Sequence, residues 1–186
     1  LTTSQLSDTE RYPVIHGGLT PMGYYSDYNR KAGTTIVVNT GNAGCVFYSD
    51  VEFWSSDACF SLYPNETLID RFLFYVVSMN EDLLKTKIRV GAMPTIDSLS
   101  VESIIVPVPP LPIQQEIVRV LDTYTSLQSV LNAEIEIRKQ QFRYYRDSCF
   151  EFKDDEIVWL PISDIALVTK LAGYEYTKYV TYSDAG

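Results

Sequence analysis

The first hundred residues alternate short apolar runs with turn-forming residues. Residues 12–15 are apolar, and residues 34–40 form a β-branched run that leads into the Gly-Asn-Ala-Gly segment 41–44. Residues 45–49 follow at once and are rich in aromatic side chains. Two such runs on either side of a short Asn/Gly segment predict a β-hairpin. The apolar run at residues 58–63 predicts a further strand.

The spacing of apolar residues then changes from a strand pattern to a helical one. Between residues 67 and 85 they recur at intervals of three and four, beginning with Ile69, Phe72 and Val76, which predicts an amphipathic helix. Residues 104–108 are again a short apolar run, which predicts a strand. Together these elements predict a small mixed α/β domain with β-hairpins.

The longest regular pattern follows a segment with four prolines between residues 107 and 112. Residues 113–150 contain no Gly or Pro and predict a single helix of roughly 55 Å, at about 1.5 Å per residue. Its apolar residues form one narrow stripe, as in a helix that pairs with another helix in a coiled coil. A helix lying on the chain's own small domain is the alternative, but that contact would cover only part of its length. We expect the following residues to pair: Ile113, Ile117, Val120, Tyr124, Leu127, Leu131, Ile135, Phe142 and Tyr145.

The pattern therefore predicts an α+β fold in which the small domain precedes a long coiled-coil-forming helix. Residues 153–156 are a polar break, after which a new apolar unit begins. A unit of about 30 residues does not bury enough surface to fold alone. We therefore predict a first domain at 1–110, a helical spacer at 111–152 and an incomplete second domain at 153–186. On this interpretation the chain is a piece of a longer polypeptide.

Charge and cysteine content exclude several classes of protein. The formal net charge is −9, which excludes a uniformly basic nucleic-acid-binding surface, although a local reader on an acidic body remains compatible with it. Three widely spaced cysteines and one histidine argue against a Cys/His zinc site, so no metal is expected. The sequence shows neither a signal peptide nor a membrane-spanning run, and we expect a cytoplasmic protein.

The common catalytic motifs are missing from the sequence. The sequence contains no phosphate-binding loop and no nucleophile-elbow motif. His16 is the single histidine and lies next to Gly17 and Gly18, without an evident serine or cysteine partner. The sequence therefore predicts a protein without catalytic residues and without a cofactor of its own.

The residues around the proline boundary resemble a known family. An apolar strand that ends in Pro-Pro-Leu, followed by a Gln-rich helix start and an Ile-Val-x-x-Leu-Asp run, is similar to the specificity subunits of type I restriction-modification systems. The residues that carry this similarity are Pro109, Pro110, Leu111, Gln114, Gln115, Ile117, Val118, Leu121 and Asp122. The Tyr-Pro and Gly-Gly segment at 12–18 also resembles this family, and residues 158–177 resemble the start of its second recognition domain. The family's opening phrase is missing before residue 1, so we expect the chain to begin inside the first recognition domain.

The resemblance implies a function. Specificity subunits have two recognition domains that each read half of a bipartite DNA target, and antiparallel helices that hold these domains at a fixed separation. They carry no catalysis themselves and scaffold the methyltransferase (modification) and restriction subunits. The expected partners are therefore double-stranded DNA and those two kinds of subunit, with an antiparallel homodimer through the long helix as a further arrangement. Because the chain is acidic, we expect it to bind DNA weakly alone, with the modification subunits supplying most of the positive charge.

DNA contacts require hydrogen-bonding or cationic side chains on loops. The candidates are Tyr24, Tyr25, Tyr28, Asn29, Arg30, Lys31, Asn39, Thr40, Asn42, Lys85, Lys87 and Arg89. Packing within a hairpin is an equally good interpretation of the three tyrosines, and a solvated turn is the alternative for Arg30 and Lys31.

Two other functions are left open by the residues themselves. One is a protein-interaction module with a dimerising helix and no DNA binding. The other is a hydrolase in which His16 is the general base.

Overall fold

Strand β3 (Thr34–Val38) is the centre of the fold, since all five of its residues are buried. In the computed structural model, which describes residues 1, 3–153 and 157–170, it pairs antiparallel with β4 (Val46–Ser49) and with β6 (Cys59–Leu62). The order of this sheet is β4-β3-β6. The predicted hairpin and the predicted strand at 58–63 are thus both confirmed.

A second, smaller sheet has the order β2-β1-β5. Strand β1 (Tyr12–Ile15) pairs antiparallel with β2 (Tyr24–Tyr25) and parallel with β5 (Trp54–Ser55). A single 3-10 turn, Thr3–Gln5, precedes the sheet. The apolar run at residues 12–15 thus forms a strand.

The apolar face of the helical region packs on the larger sheet. Helices α1 (Asp70–Met79) and α2 (Glu81–Thr86) replace the single helix predicted for 67–85. They are separated at Asn80, whose side-chain amide donates to the backbone oxygen of Val76 at 2.8 Å. The buried cluster around α1, α2 and the short helix α3 (Ser98–Glu102) comprises Val37, Ala43, Val46, Leu73, Val77, Leu84, Ile96 and Val101.

The strand predicted at 104–108 is not formed. These residues have no regular secondary structure, and Ile105 is 90% exposed. Pro107 lacks a backbone N–H and cannot donate to a ladder, which explains why the apolar run does not join a sheet.

Helix α4 (Leu111–Ser148) confirms the predicted long helix to within two residues at each end. Its first turn is anchored by Gln114, which is fully buried. The Gln114 side chain accepts a hydrogen bond from the backbone N–H of Ile69 at 2.9 Å. It donates to the backbone oxygens of Thr67 at 2.8 Å and Pro109 at 2.7 Å. The amide thus satisfies backbone groups on both sides of the joint between the small domain and α4.

Two turns further along α4, Asp122 forms a second polar contact with the small domain. Its Oδ1 accepts from Arg71 Nε at 2.8 Å and from Tyr75 Oη at 2.5 Å. The Arg71 guanidinium also lies over the Tyr48 ring, 4.4 Å from its centroid, a cation–π contact. Burial alone would raise the pKa of Asp122, but the hydrogen bonds from Tyr75 and Arg71 and the positive charge of Arg71 lower it.

The chain divides into two compact units, Leu1–Val130 and Leu131–Gly186. In the second unit the structure describes the last part of α4 and the short helix α5 (Ile162–Ile165). Residues 171–186, which hold much of the predicted second domain, lie outside the described residues. Among the helices of the described ranges, none is long and apolar enough to cross a membrane.

The Gln114 contact predicts a stability difference between adjacent glutamines. Replacing Gln114 by Ala removes the hydrogen-bond partner of one backbone donor and two backbone acceptors at the joint, so we expect the free energy of unfolding to fall by about 3 kcal/mol. Gln115 is exposed, and Gln115→Ala is expected to change it by less than about 0.5 kcal/mol. Urea denaturation of both variants measures the difference. Equal effects of the two substitutions would contradict the anchoring role.

The lowered pKa of Asp122 predicts acid sensitivity of stability. A carboxylate whose pKa is depressed in the folded state stabilises that state above its unfolded pKa, and this contribution is lost as pH falls through the folded pKa. Wild type should therefore exceed Asp122→Asn in unfolding free energy by a constant amount above about pH 5, and the gap should shrink below about pH 4. Denaturant titrations at several pH values measure the gap; one that does not change between pH 6 and pH 3 would contradict the assignment.

Candidate nucleic-acid interface

Four loops of the first unit lie together and are joined by hydrogen bonds. We call residues 16–23, 39–45, 56–58 and 87–97 the loop surface. The backbone N–H and side-chain amide of Asn42 both donate to the Gly17 oxygen, at 3.0 and 2.9 Å. The Asn39 N–H donates to the Ala58 oxygen at 2.9 Å, and the Ile96 N–H donates to the Asn39 oxygen at 2.8 Å. Residues distant in the sequence are thus fixed as one surface.

The close approach of two of these loops requires a glycine. Gly17 has φ +57°, and a Cβ at this position would collide with the backbone oxygen of Thr40. An L-residue with a side chain is therefore excluded at Gly17 both by its dihedral angle and by space. Gly17 is therefore the residue that allows the loop at 16–23 to contact the turn at 39–45.

A cavity of about 400 Å³ opens between these loops. It is lined by His16, Gly17, Gly18, Thr40, Gly41, Asp57, Ala58 and Met93. His16 Nδ1 lies 2.8 Å from Ser56 Oγ, and that oxygen also accepts from the Ala58 N–H at 3.1 Å. No carboxylate among the described residues is hydrogen-bonded to His16, so the nucleophile–base–acid arrangement of a hydrolase is not assembled here.

The predicted asparagines are bonded to the backbone of the domain. Asn29 Nδ2 donates to the Ser55 oxygen at 2.9 Å, while Asn29 Oδ1 accepts from the Ser55 N–H at 2.7 Å. Asn39 Nδ2 donates to the Asp57 oxygen at 3.0 Å. With the bonds of Asn42 given above, all three predicted asparagines hold loops or strands in place, which the sequence pattern alone did not distinguish from base reading.

The three predicted tyrosines pack within the smaller sheet and its connections. Tyr25 contacts Trp54 edge-on, with ring centroids 5.3 Å apart, and Tyr28 contacts Tyr12 at 5.0 Å. A hydrogen bond to Glu52 and the negative charge of Glu52 raise the pKa of Tyr28. Tyr24 pairs with Pro13 and also forms a bridge with Ser7. Tyr24 and Tyr28 remain partly exposed, so packing and an accessible hydroxyl coexist at these positions.

The predicted cations Arg30 and Lys31 differ in the hydrogen bonds that their side chains form. Arg30 donates to Ser61 Oγ at 3.1 Å and to the Asn29 oxygen at 2.8 Å. Lys31 is exposed, and within the described part of the chain its side chain has no ion pair or hydrogen bond. Thr40, another of the predicted DNA contacts, lines the cavity and forms a β-bridge with Thr95.

The second basic cluster carries exposed intramolecular contacts. Lys85 pairs with Glu81 at 2.7 Å, and Arg89 pairs with Asp97 at 2.7 Å. Lys87 Nζ donates to Ser103 Oγ at 2.7 Å. Exposed ion pairs contribute at most about 1 kcal/mol, so these side chains can exchange their partners for a phosphate.

Residues 90–94 are part of the loop surface that the sequence candidates did not include. Val90 and Met93 are both exposed there, beside Arg89. The signal available in the sequence was a Gly and a Pro within an apolar segment that follows three cations. The predicted DNA contacts comprise hydrogen-bonding and cationic side chains, a rule that leaves out Val90 and Met93.

The residues predicted for helix pairing are all solvent-exposed. Their exposed fractions range from 38% at Ile117 to 66% at Phe142. An apolar stripe of this kind on a helix is unfavourable in water without a partner. In addition, no group of three His, Cys, Asp or Glu side chains within the described ranges is placed to hold a metal ion.

Comparisons with known proteins agree on one family. The model of the type I restriction modification DNA specificity domain matches residues 1–137. The chain is 28% identical to the specificity subunit of the type I restriction enzyme EcoR124I/EcoR124II of Escherichia coli, a match that covers 85% of this chain and 42% of that protein. It is 25% identical to the MjaVIII specificity subunit of Methanocaldococcus jannaschii, with 93% and 45% covered.

A solved structure shows the same fold. The S subunit of a type I restriction-modification system from M. genitalium matches with a TM-score of 0.60 and 18% identity, covering 83% of this chain and 42% of that one. The match therefore covers less than half the length of each of these three relatives.

The bonds of Asn29 predict that two neighbouring candidates differ in stability. Asn29→Ala removes both hydrogen bonds to the Ser55 backbone, and we expect a loss of about 2 kcal/mol in unfolding free energy. Lys31→Ala removes no contact and is expected to stay within about 0.5 kcal/mol of wild type. Thermal and urea denaturation distinguish the two; a comparable loss for Lys31→Ala would show that this lysine is structural.

Proposed function

The chain belongs to the family of type I restriction modification DNA specificity domains, and we propose that it reads one half of a bipartite DNA target. The family match over residues 1–137 carries this proposal, because it spans both the small domain and most of α4. The mixed α+β fold with its long helix is the architecture of the family.

The loop surface is the part of the chain that we propose contacts the bases. It combines a turn held by Asn42, a cavity lined by His16 and Thr40, and a basic segment that ends at Arg89. Base edges are read by hydrogen-bonding and apolar groups, whereas phosphates are bound by cations. Lys31 lies outside the loop surface, and its exposed side chain has no ion pair or hydrogen bond among the described residues, so we assign it a phosphate.

The long helix is proposed to act as a spacer and scaffold. The exposed stripe supports antiparallel pairing with the corresponding helix of a second recognition half, either in the same polypeptide or in another copy of this chain. We further propose that methyltransferase and restriction subunits dock on this frame and that the chain supplies no catalytic residues. DNA is the target, so the cytoplasm is the compartment in which we propose that it acts.

The proposed domain limits remain those of the sequence: 1–110 for the first recognition domain, 111–152 for the spacer and 153–186 for the start of a second recognition domain. The beginning of α4 at Leu111 supports the first limit. Among the described residues of the third segment, the regular secondary structure is limited to the short helix α5 (Ile162–Ile165).

DNA selection tests the proposal. From a pool of random duplexes, the chain assembled with modification subunits should enrich one bipartite sequence, while the chain alone should bind weakly because it is acidic. Equal affinity for all duplexes in the assembled complex would reject DNA reading and favour a protein-interaction module.

Lys31→Ala tests the phosphate assignment in the same assay. We expect weaker binding to every sequence, an unchanged sequence preference and a salt-dependence slope smaller by about 0.9. Lys139→Ala is the matched control, because Lys139 lies on α4 and, unlike Lys31, already forms an ion pair, with Glu136. An equal loss of affinity in the two variants would contradict the assignment.

A further inference from the structure

We propose that residues 90–94, the tip loop, read the 5-methyl group of a thymine in the major groove through Val90 and Met93. This inference rests on the proposed function and adds a specificity-determining contact to it. The inference is based on an exposed apolar tip, which lies beside the turn at 39–45 on a loop whose base is closed by backbone hydrogen bonds.

The tip is apolar and projects into solvent. Val90 is 94% exposed, the highest value among the large hydrophobic residues that the structure describes, and Met93 is 60% exposed. Neither side chain has a strong hydrogen-bonding group. Two such residues on a tip surrounded by water are unfavourable unless a partner covers them.

The loop is held rigidly from its base. Arg89 and Thr95 exchange two backbone hydrogen bonds, at 2.8 and 3.2 Å, which close the loop. The Gly41 N–H donates to the Pro94 oxygen at 3.0 Å, and this bond joins the tip loop to the turn at 39–45. The base of the loop is therefore held in place before binding, which lowers the entropy cost of recognition.

The proposed function supplies DNA as the partner, and cations that can exchange their partners lie beside the tip. Lys85, Lys87 and Arg89 precede the tip. Lys85 and Arg89 form exposed ion pairs with Glu81 and Asp97, which they can exchange for a phosphate. One base pair flanked by phosphates matches both the size of the tip and the charge beside it.

The apolar character of the tip selects the base. In the major groove, the four base pairs present donors and acceptors, and the 5-methyl group of thymine is the one apolar feature. Val90 and Met93 provide no donor or acceptor for the other edges. The tip therefore favours a thymine and disfavours bases whose polar edges would be left without hydrogen bonds.

Replacing thymine by uracil in the target tests this contact, because the change removes only the methyl group. Each thymine in the enriched duplex is replaced in turn by deoxyuridine, and the dissociation constant of the assembled complex is measured. At one position we expect wild-type affinity to fall about three- to fivefold, as expected for the burial of one methyl group. A wild-type complex that is insensitive to deoxyuridine at every position overturns the proposal.

The variant Val90→Ala/Met93→Ala completes the test. It should bind the thymine and deoxyuridine duplexes with equal affinity, whereas wild type and the control Ile105→Ala, which alters an exposed residue elsewhere, should keep the difference. A difference that persists in the double variant overturns the proposal. So does a double variant that no longer assembles with the modification subunits, because the tip would then contact protein rather than DNA. If wild-type complex enriches no sequence at all, the proposed function fails, and that result is distinct from a specific complex that ignores the methyl group.

Discussion

Burial of the Gln114 side chain is the constraint on which the rest of the first unit depends. A buried amide must have its donors and acceptors satisfied, and here its partners are backbone groups of Ile69, Thr67 and Pro109. Most of α4 is exposed, so apolar packing contributes little to holding it against the small domain. Polar bonds at Gln114 and Asp122 therefore determine the direction in which the first turns of α4 leave that domain. For a helix proposed to act as a spacer, this direction matters as much as length.

Elements with a continuous local signal were predictable from the sequence, and those that depend on distant partners were not. The β-branched run at 34–40 and the uninterrupted stretch at 113–150 each carry their own periodicity, and both became the expected elements. The break at Asn80 and the absence of a strand at 104–108 follow from a side-chain bond and from prolines, against the hydrophobic pattern. The same limit applies to the candidate site. An exposed asparagine and a structural one look alike in the sequence, and only the Ser55 bonds of Asn29 reveal its role.

The acidic charge of this chain limits its affinity for DNA more than its selectivity among DNA sequences. Of the predicted cations, several are already paired within the chain, and the body around them is acidic. Affinity for phosphates grows with the number of unpaired cations on a surface, so this chain by itself provides little of that affinity. An acidic background weakens the base contacts of hydrogen-bonding and apolar groups less than it weakens phosphate contacts, because base edges carry no net charge. An acidic specificity module is therefore consistent physically, provided that another component of the complex supplies the positive charge.

The loop surface separates the frame from the reading groups. Its loops are joined mainly by backbone hydrogen bonds and by the close approach at Gly17, so their relative positions depend little on the side chains at their tips. Val90 and Met93 are exposed and contribute little to the core, which is formed by residues such as Val37 and Leu84. A change at such tips alters the groups presented to a partner while the backbone bonds that place them remain. Different atoms thus fold this domain and determine which DNA sequence it recognises. The side chains at the loop tips can therefore change with little effect on the stability of the fold.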